Sequence, residues 1–137
     1  MPYITKELRF KYSKDVKQFQ LKLIDTYTLV YKIQAEPLNG QDGIINYILT
    51  MVLKKADQPR DYAQLIEEFL LVFYEPKYFN YQRLMGLLIC MAREFARRDW
   101  DSKGFVRALL ADLASDIYIN EIDPYEDKKI KENGDLC

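Results

Sequence analysis

Acidic residues at helical spacing are the first side chains in this sequence that suggest chemistry. All-helical nucleotide pyrophosphohydrolases hold Mg²⁺ between paired carboxylates, because the cation needs several such ligands besides the substrate phosphates. Asp112 and Asp116 are four residues apart and share one helix face. The full candidate set is Glu67, Glu68, Glu94, Asp112 and Asp116. Glu67 and Glu68 lack a third carboxylate one turn on, so we favour solvated helix faces over a magnesium-dependent enzyme.

Arginines form a second group with possible chemistry. Guanidinium groups bind phosphate in a bidentate manner and stack on bases, so clustered arginines are typical of sites for small anionic ligands such as nucleotides. Arg93 and Arg97 are one helical turn apart and carry like charges, which calls for an anion or an acidic partner. The candidate ligand-binding residues are Arg93, Arg97, Arg98 and Arg107. Salt bridges within the protein or across an interface are the more frequent use of such residues.

Six aromatic residues lie close together around Pro76: Phe69, Phe73, Tyr74, Tyr78, Phe79 and Tyr81. Aromatic rings supply a large contact area at low entropic cost, so a loop of this kind can line a pocket or anchor an interface. We therefore name Phe73, Tyr78 and Phe79 as candidate interface residues. Closure of the core is the more common role of such a cluster.

The composition limits the function further. The 137 residues contain no histidine, which excludes histidine-based nucleophilic catalysis and histidine-bearing zinc sites, and two cysteines are too few for a thiolate zinc site. A net charge of −1 argues against general nucleic-acid binding. No apolar run reaches the roughly 18 residues of a membrane span. We expect a cytoplasmic protein without a bound metal or cofactor.

The elements that must position these residues are helices. Hydrophobic periodicity predicts an all-α compact bundle of about five helices in a domain of residues 1–123, followed by an extended polar tail, 124–137. The first helix spans 14–35, although the β-branched and aromatic residues of 26–34 also fit a strand. The other helices are 43–56, 60–75, the segment after Asn80 and the segment after Ser102. Asp42, Asn80 and Ser102 are the expected N-caps.

The prediction of a helical bundle rests on two apolar faces in particular. The stripe Leu84, Leu87, Leu88, Met91 and Phe95 follows strict helical spacing, and Glu94 and Arg98 form a favourable pair on the opposite, exposed side. The first segment presents Val16, Phe19, Leu23, Tyr27, Val30 and Tyr31 at helical spacing. We expect the stripe from Leu84 to Phe95 to be buried together in the core.

The C-terminal sequence PYEDKKIKENGDLC of residues 124–137 resembles the end of a family of small phage and bacterial proteins that terminate in a PYEDKKIKENGD motif. Residues 1–4 are similar to the start of that family, and residues 43–50 are similar to its GELNYxIT segment. Its remaining helix matches either 84–98 or 108–120. The resemblance implies short helical proteins of phage or environmental origin without an established activity, so it transfers no catalytic residue.

Three functions follow from these observations. The first is a non-enzymatic interaction protein that forms homo-oligomers, because the apolar faces and 14% aromatic residues exceed what a small bundle must bury. The second is a binding protein for a small anionic ligand, and the third is the magnesium-dependent enzyme. We also expect the tail to dock, with Tyr125 as an anchor and with Glu126 and Asp127 paired to Arg93 or Arg97.

Overall fold

The computed structural model describes residues 4–75 and 78–117, and this part of the chain is all-helical, without a strand. Residues 4–75 and 78–117 form seven α-helices and one short 3₁₀ turn, where the sequence predicted about five helices. The helices are α1 (Lys6–Lys11), α2 (Ser13–Gln20), α3 (Thr26–Gln34), α4 (Leu38–Lys55), α5 (Ala63–Phe73), α6 (Tyr78–Arg97) and α7 (Phe105–Ile117), with the 3₁₀ turn at Pro59–Tyr62. The predicted boundary after residue 123 lies outside the described residues.

Helix α4 is the centre of the bundle. It contacts α1, α2, α3 and α6, and its apolar residues are buried almost all the way round. A helix with apolar residues on every side is stable only when other helices surround it, because each such side chain gains free energy on leaving water. The fully buried side chains of α4 are Ile44, Ile45, Ile48, Leu49 and Val52. The core therefore consists of the side chains of α4 and those of the helices that pack around it.

The predicted stripe on α6 is confirmed. Leu84, Leu87, Leu88, Met91 and Phe95 are each at most 4% exposed and belong to the single core cluster. The prediction for Glu94 is wrong, because this carboxylate lies at the edge of the core with only 5% of its residue surface exposed.

The first predicted helix is interrupted. Helix α2 ends in a Schellman motif, in which the Lys22 and Leu23 backbone N–H groups donate to the Phe19 and Gln18 carbonyls. Lys22 has a φ of 58°, in the left-handed region that ends helices. The chain then restarts at α3, where Asp25 accepts a hydrogen bond from the Tyr27 N–H. Residues 26–34, for which the sequence allowed either a helix or a strand, therefore form a helix.

This interruption divides the apolar face that helical spacing predicted for the first segment. Val16, Phe19 and Val30 are buried. Leu23, Tyr27 and Tyr31, however, are exposed, because α3 turns Thr26, Leu29, Val30 and Ile33 toward the core instead. The spacing of the apolar residues in 14–35 predicts one helical stripe, but the segment forms two separate helices, α2 and α3.

Two of the three predicted N-caps, Asp42 and Asn80, lie inside helices rather than at their N-termini. Helix α4 begins at Leu38 directly after Pro37, so Asp42 and the expected breaker Asn39-Gly40 lie inside its first turns. Helix α6 begins at Tyr78, and the side-chain amide of Asn80 donates to the Glu75 carbonyl at 3.0 Å.

The N-terminus of α7 is capped by Asp101 rather than by Ser102. The two carboxylate oxygens of Asp101 accept hydrogen bonds from the Val106 and Arg107 N–H groups at 3.0 and 2.9 Å. A turn closed by the Gly104 N–H and the Asp101 carbonyl brings the carboxylate to the helix. Gly104 has a φ of 74°, which glycine adopts without strain.

Among the helices of residues 4–75 and 78–117, none is long and apolar enough to cross a bilayer.

Candidate functional site

Two of the four arginines of the predicted ligand site bind a carboxylate of the chain itself. Arg97 and Arg98 both donate to the Glu94 carboxylate, with nitrogen–oxygen distances of 2.8 Å. These hydrogen bonds hold the pKa of Glu94 below its ordinary value of 4.5. Arg93 and Arg107 are exposed on α6 and α7. Arg97 and Arg98 therefore bind a buried carboxylate at the end of α6, and this carboxylate partly neutralises their positive charge.

Cations gather instead around Trp100. The Lys54 ammonium lies 4.2 Å from the centre of the Trp100 indole, and the Arg98 guanidinium lies 5.7 Å from it. The indole packs edge-on against Phe95 at 5.7 Å, as part of the Schellman motif that ends α6. Beside it is a pocket of about 160 Å³ whose polar lining residues are Lys54, Asp57, Asp101, Ser102 and Lys103.

The acidic candidates do not converge on one point. Asp112 pairs with Arg60 at 2.9 Å on the surface, and Asp116 is exposed further along α7. Glu67 and Glu68 line a groove on the other side of α5. Within residues 4–75 and 78–117, no three His, Cys, Asp or Glu side chains come together in a way that can hold a metal ion. The magnesium hypothesis thus has no assembled ligand set in this part of the chain.

A polar network that sequence reasoning missed joins α1, α2 and α3. The hydroxyl of Tyr12 donates to Glu36 at 2.9 Å, and Lys11 pairs with the same carboxylate. Lys32 lies 4.7 Å from the Tyr12 ring centre and binds Asp15 at 2.9 Å. Burial and the neighbouring Glu36 carboxylate raise the pKa of Tyr12, while the two donors lower that of Glu36. The network fastens the N-terminal helices together.

A second network joins α4, the end of α5 and α6. The hydroxyl of Tyr74 donates to Asp42 at 2.8 Å, and Arg83 holds the same carboxylate with a shortest distance of 2.7 Å. The Arg83 guanidinium also lies 5.1 Å from the Tyr74 ring centre. Burial is the main reason that the pKa of Tyr74 is raised. Asp42, which was expected to cap a helix, therefore accepts hydrogen bonds from Tyr74 and Arg83 and links α6 and the end of α5 to α4.

The aromatic cluster around Pro76 does not provide the predicted interface at Phe73. Phe73 is 8% exposed and packs against the ring of Tyr74 with 4.9 Å between ring centres, so it belongs to the core. The side chains of Tyr78 and Phe79 lie outside the described residues. The same holds for Tyr125, Glu126 and Asp127 of the tail.

An exposed apolar surface lies on the α2–α3 connection and on α3. Leu21, Leu23, Tyr27 and Tyr31 are between 55% and 79% exposed, and we call them the α3 surface. Tyr27 and Tyr31 are one turn apart and share a helix face. Helical spacing in the sequence had placed Leu23, Tyr27 and Tyr31 on the apolar face of one helix. The available signal was the excess of apolar residues in TYTLVYKI, more than one face of a helix can bury.

A groove of about 480 Å³ adjoins this surface between α3 and α5. Its lining residues are Tyr27, Gln64, Glu67, Glu68, Leu71 and Val72. On its rim, the hydroxyl of Thr26 lies 3.4 Å from a carboxylate oxygen of Glu68. The groove thus combines a tyrosine ring, two carboxylates and aliphatic side chains.

Comparisons of the chain with protein-family models, with curated proteins and with solved structures found no match.

Proposed function

We propose that this protein is a non-enzymatic interaction protein that self-associates through the α3 surface. The observation that supports the proposal is the concentration of exposed apolar side chains. Four of the large apolar residues exposed in the described part of the chain lie within the short stretch 21–31. Grouped apolar side chains on a surface are typical of interaction sites, whereas single ones are ordinary.

The chemistry of the α3 surface suits a protein interface. Tyrosine is enriched at the centres of interfaces because it contributes a large ring at low entropic cost and keeps a polar hydroxyl. Covering one such side chain contributes on the order of 1.5–3 kcal/mol before the costs of association are subtracted. In a two-fold dimer the same patch meets itself, so each tyrosine contributes twice.

Sedimentation velocity over a micromolar concentration series tests this proposal. We expect a concentration-dependent dimer, and we expect Tyr31→Glu to weaken it at least tenfold, because the substitution places two like charges at a self-complementary interface. Phe105→Glu is the matched control, since Phe105 is an exposed aromatic residue on α7 at 52% exposure. A monomer at every concentration, or an equal effect of both variants, would refute the proposal.

A second candidate function is the binding of a small anion beside Trp100. It is favoured by the two cations over the indole and by Lys103 and Ser102 at the adjoining pocket. Asp57 and Asp101 in the same lining limit the affinity for anions, so this candidate ranks second.

A thermal-shift titration with inorganic phosphate and with nucleoside monophosphates tests the anion site. A ligand at 100 times its Kd adds about 2.7 kcal/mol to stability, which is readily measured. We expect Lys103→Ala to abolish the shift and Arg93→Ala to leave it unchanged. The absence of a shift with millimolar anion refutes the second candidate.

A further inference from the structure

The groove between α3 and α5 has a consistent chemical preference. Its charged lining residues, Glu67 and Glu68, are both acidic, and Leu71 and Val72 provide an aliphatic wall. The ring of Tyr27 stands at its edge with 68% of the residue surface exposed. Carboxylates and an aromatic face both attract ammonium groups, while the aliphatic wall favours an apolar side chain. A complementary occupant carries lysines around an aliphatic residue.

The chain contains such a segment. Residues 128–131 read Lys-Lys-Ile-Lys, so three ammonium groups surround the aliphatic Ile130. We propose that this stretch, which lies outside the described residues, binds in the α3–α5 groove of its own chain. Its lysines face Glu67 and Glu68, and Ile130 packs on Leu71 and Val72.

The length of the intervening chain allows this contact. Helix α5 packs against both α3 and α7, so the groove lies close to the helix that ends at Ile117. A helix with its side chains is about 10–12 Å wide. The ten residues 118–127 span up to about 35 Å when extended, which is enough to pass across α5.

This arrangement differs from the tail docking predicted from the sequence. That prediction paired Glu126 and Asp127 with Arg93 or Arg97, but Arg97 and Arg98 already bind Glu94. The groove offers acidic groups to the basic half of the tail instead. The proposal involves one chain and does not depend on self-association, although both surfaces include Tyr27.

Carbodiimide cross-linking of the full chain followed by peptide mass spectrometry tests the proposal. The reagent joins an amine directly to a carboxylate without a spacer, so it reports close pairs. We expect cross-links from Lys128, Lys129 or Lys131 to Glu67 or Glu68. Mixing ¹⁴N-labelled and ¹⁵N-labelled protein separates links within a chain from links between chains, and we expect links within the chain.

Two variants change the charge of the groove without adding an amine that competes for its carboxylates. Val72→Arg and Gln64→Arg each place a positive charge in the groove, and a guanidinium group stays protonated and does not couple to an activated carboxylate. We expect either to lower the cross-link yield at least fivefold. Gln64 is exposed, so its replacement leaves the core intact. Ile89→Arg is the control, because Ile89 is an exposed aliphatic residue of α6. The proposal is overturned if these cross-links are absent, if they form only between chains, or if all variants give the wild-type yield.

Discussion

Replacing Asp101 with alanine is the sharpest test of the local structure, because the neighbouring residue supplies its own control. The sequence places the cap of α7 at Ser102, whereas both oxygens of Asp101 accept N–H donors of α7. We expect Asp101→Ala to destabilise the fold and Ser102→Ala to have almost no effect. Asp101→Asn keeps an acceptor but loses the charge, so it should fall between the two.

The magnitude follows from the two hydrogen bonds and the helix dipole. Loss of a capping side chain costs about 0.5–2 kcal/mol. The negative charge at the N-terminus of the helix contributes a further ~0.3–1 kcal/mol at low salt. We therefore expect Asp101→Ala to lower the free energy of unfolding by about 1.5 kcal/mol. For a domain of this size, that loss lowers Tm by roughly 5 °C.

Urea and thermal unfolding followed by circular dichroism measure these differences. The three variants are compared at pH 7, at low salt and again at about 0.5 M salt, where the charge contribution is screened. The gap between Asp101→Ala and Asp101→Asn should shrink at high salt. If Ser102→Ala costs as much as Asp101→Ala, the cap has been assigned to the wrong residue.

Three further predictions concern the core and the polar networks. Leu88→Ala should cost about 2–5 kcal/mol in urea unfolding, because Leu88 is 2% exposed, and a loss below about 0.5 kcal/mol contradicts its place in the core. Tyr12→Phe should cost about 1–3 kcal/mol, because it removes a hydrogen bond to a carboxylate, and an unchanged stability contradicts the network. Because the pKa values of Glu36 and Glu94 are lowered in the folded state, their contribution to stability is present above pH 4.5 and disappears as the pH falls below it. Thermal unfolding between pH 7 and pH 2.5 measures this loss, and Glu94→Gln should reduce it.

The sequence predicted the strongly periodic parts of the fold and failed where a helix ended without a marker. The α6 stripe from Leu84 to Phe95 was confirmed, because long regular spacing leaves little choice of face. The break after α2 was missed, because a lysine occupies the left-handed position that glycine usually holds in a Schellman motif. Because the break was missed, the sequence did not predict which face of α3 is buried or that its tyrosines are exposed.

The candidate sites were harder to predict than the helices, because their chemistry depends on contacts between distant segments. Glu94 with Arg98 is a local pair, and its spacing was enough to find it. The hydrogen bonds of Tyr12 and Tyr74 join residues more than 20 positions apart, so the spacing of residues along the sequence does not predict them. The Lys54–Trp100 contact likewise unites the end of α4 with the loop after α6.

The polar networks have a consequence for the protein's response to acidity. Because the chain contains no histidine, its side-chain ion pairs join Asp or Glu to Lys or Arg, as Glu94 does with Arg97 and Arg98. Carboxylates titrate near pH 4 and ammonium and guanidinium groups above pH 10. Moving the protein between a mildly acidic and a mildly alkaline compartment therefore leaves these pairs in the same charge state. A change of pH within this range thus does not act on the protein through these ion pairs.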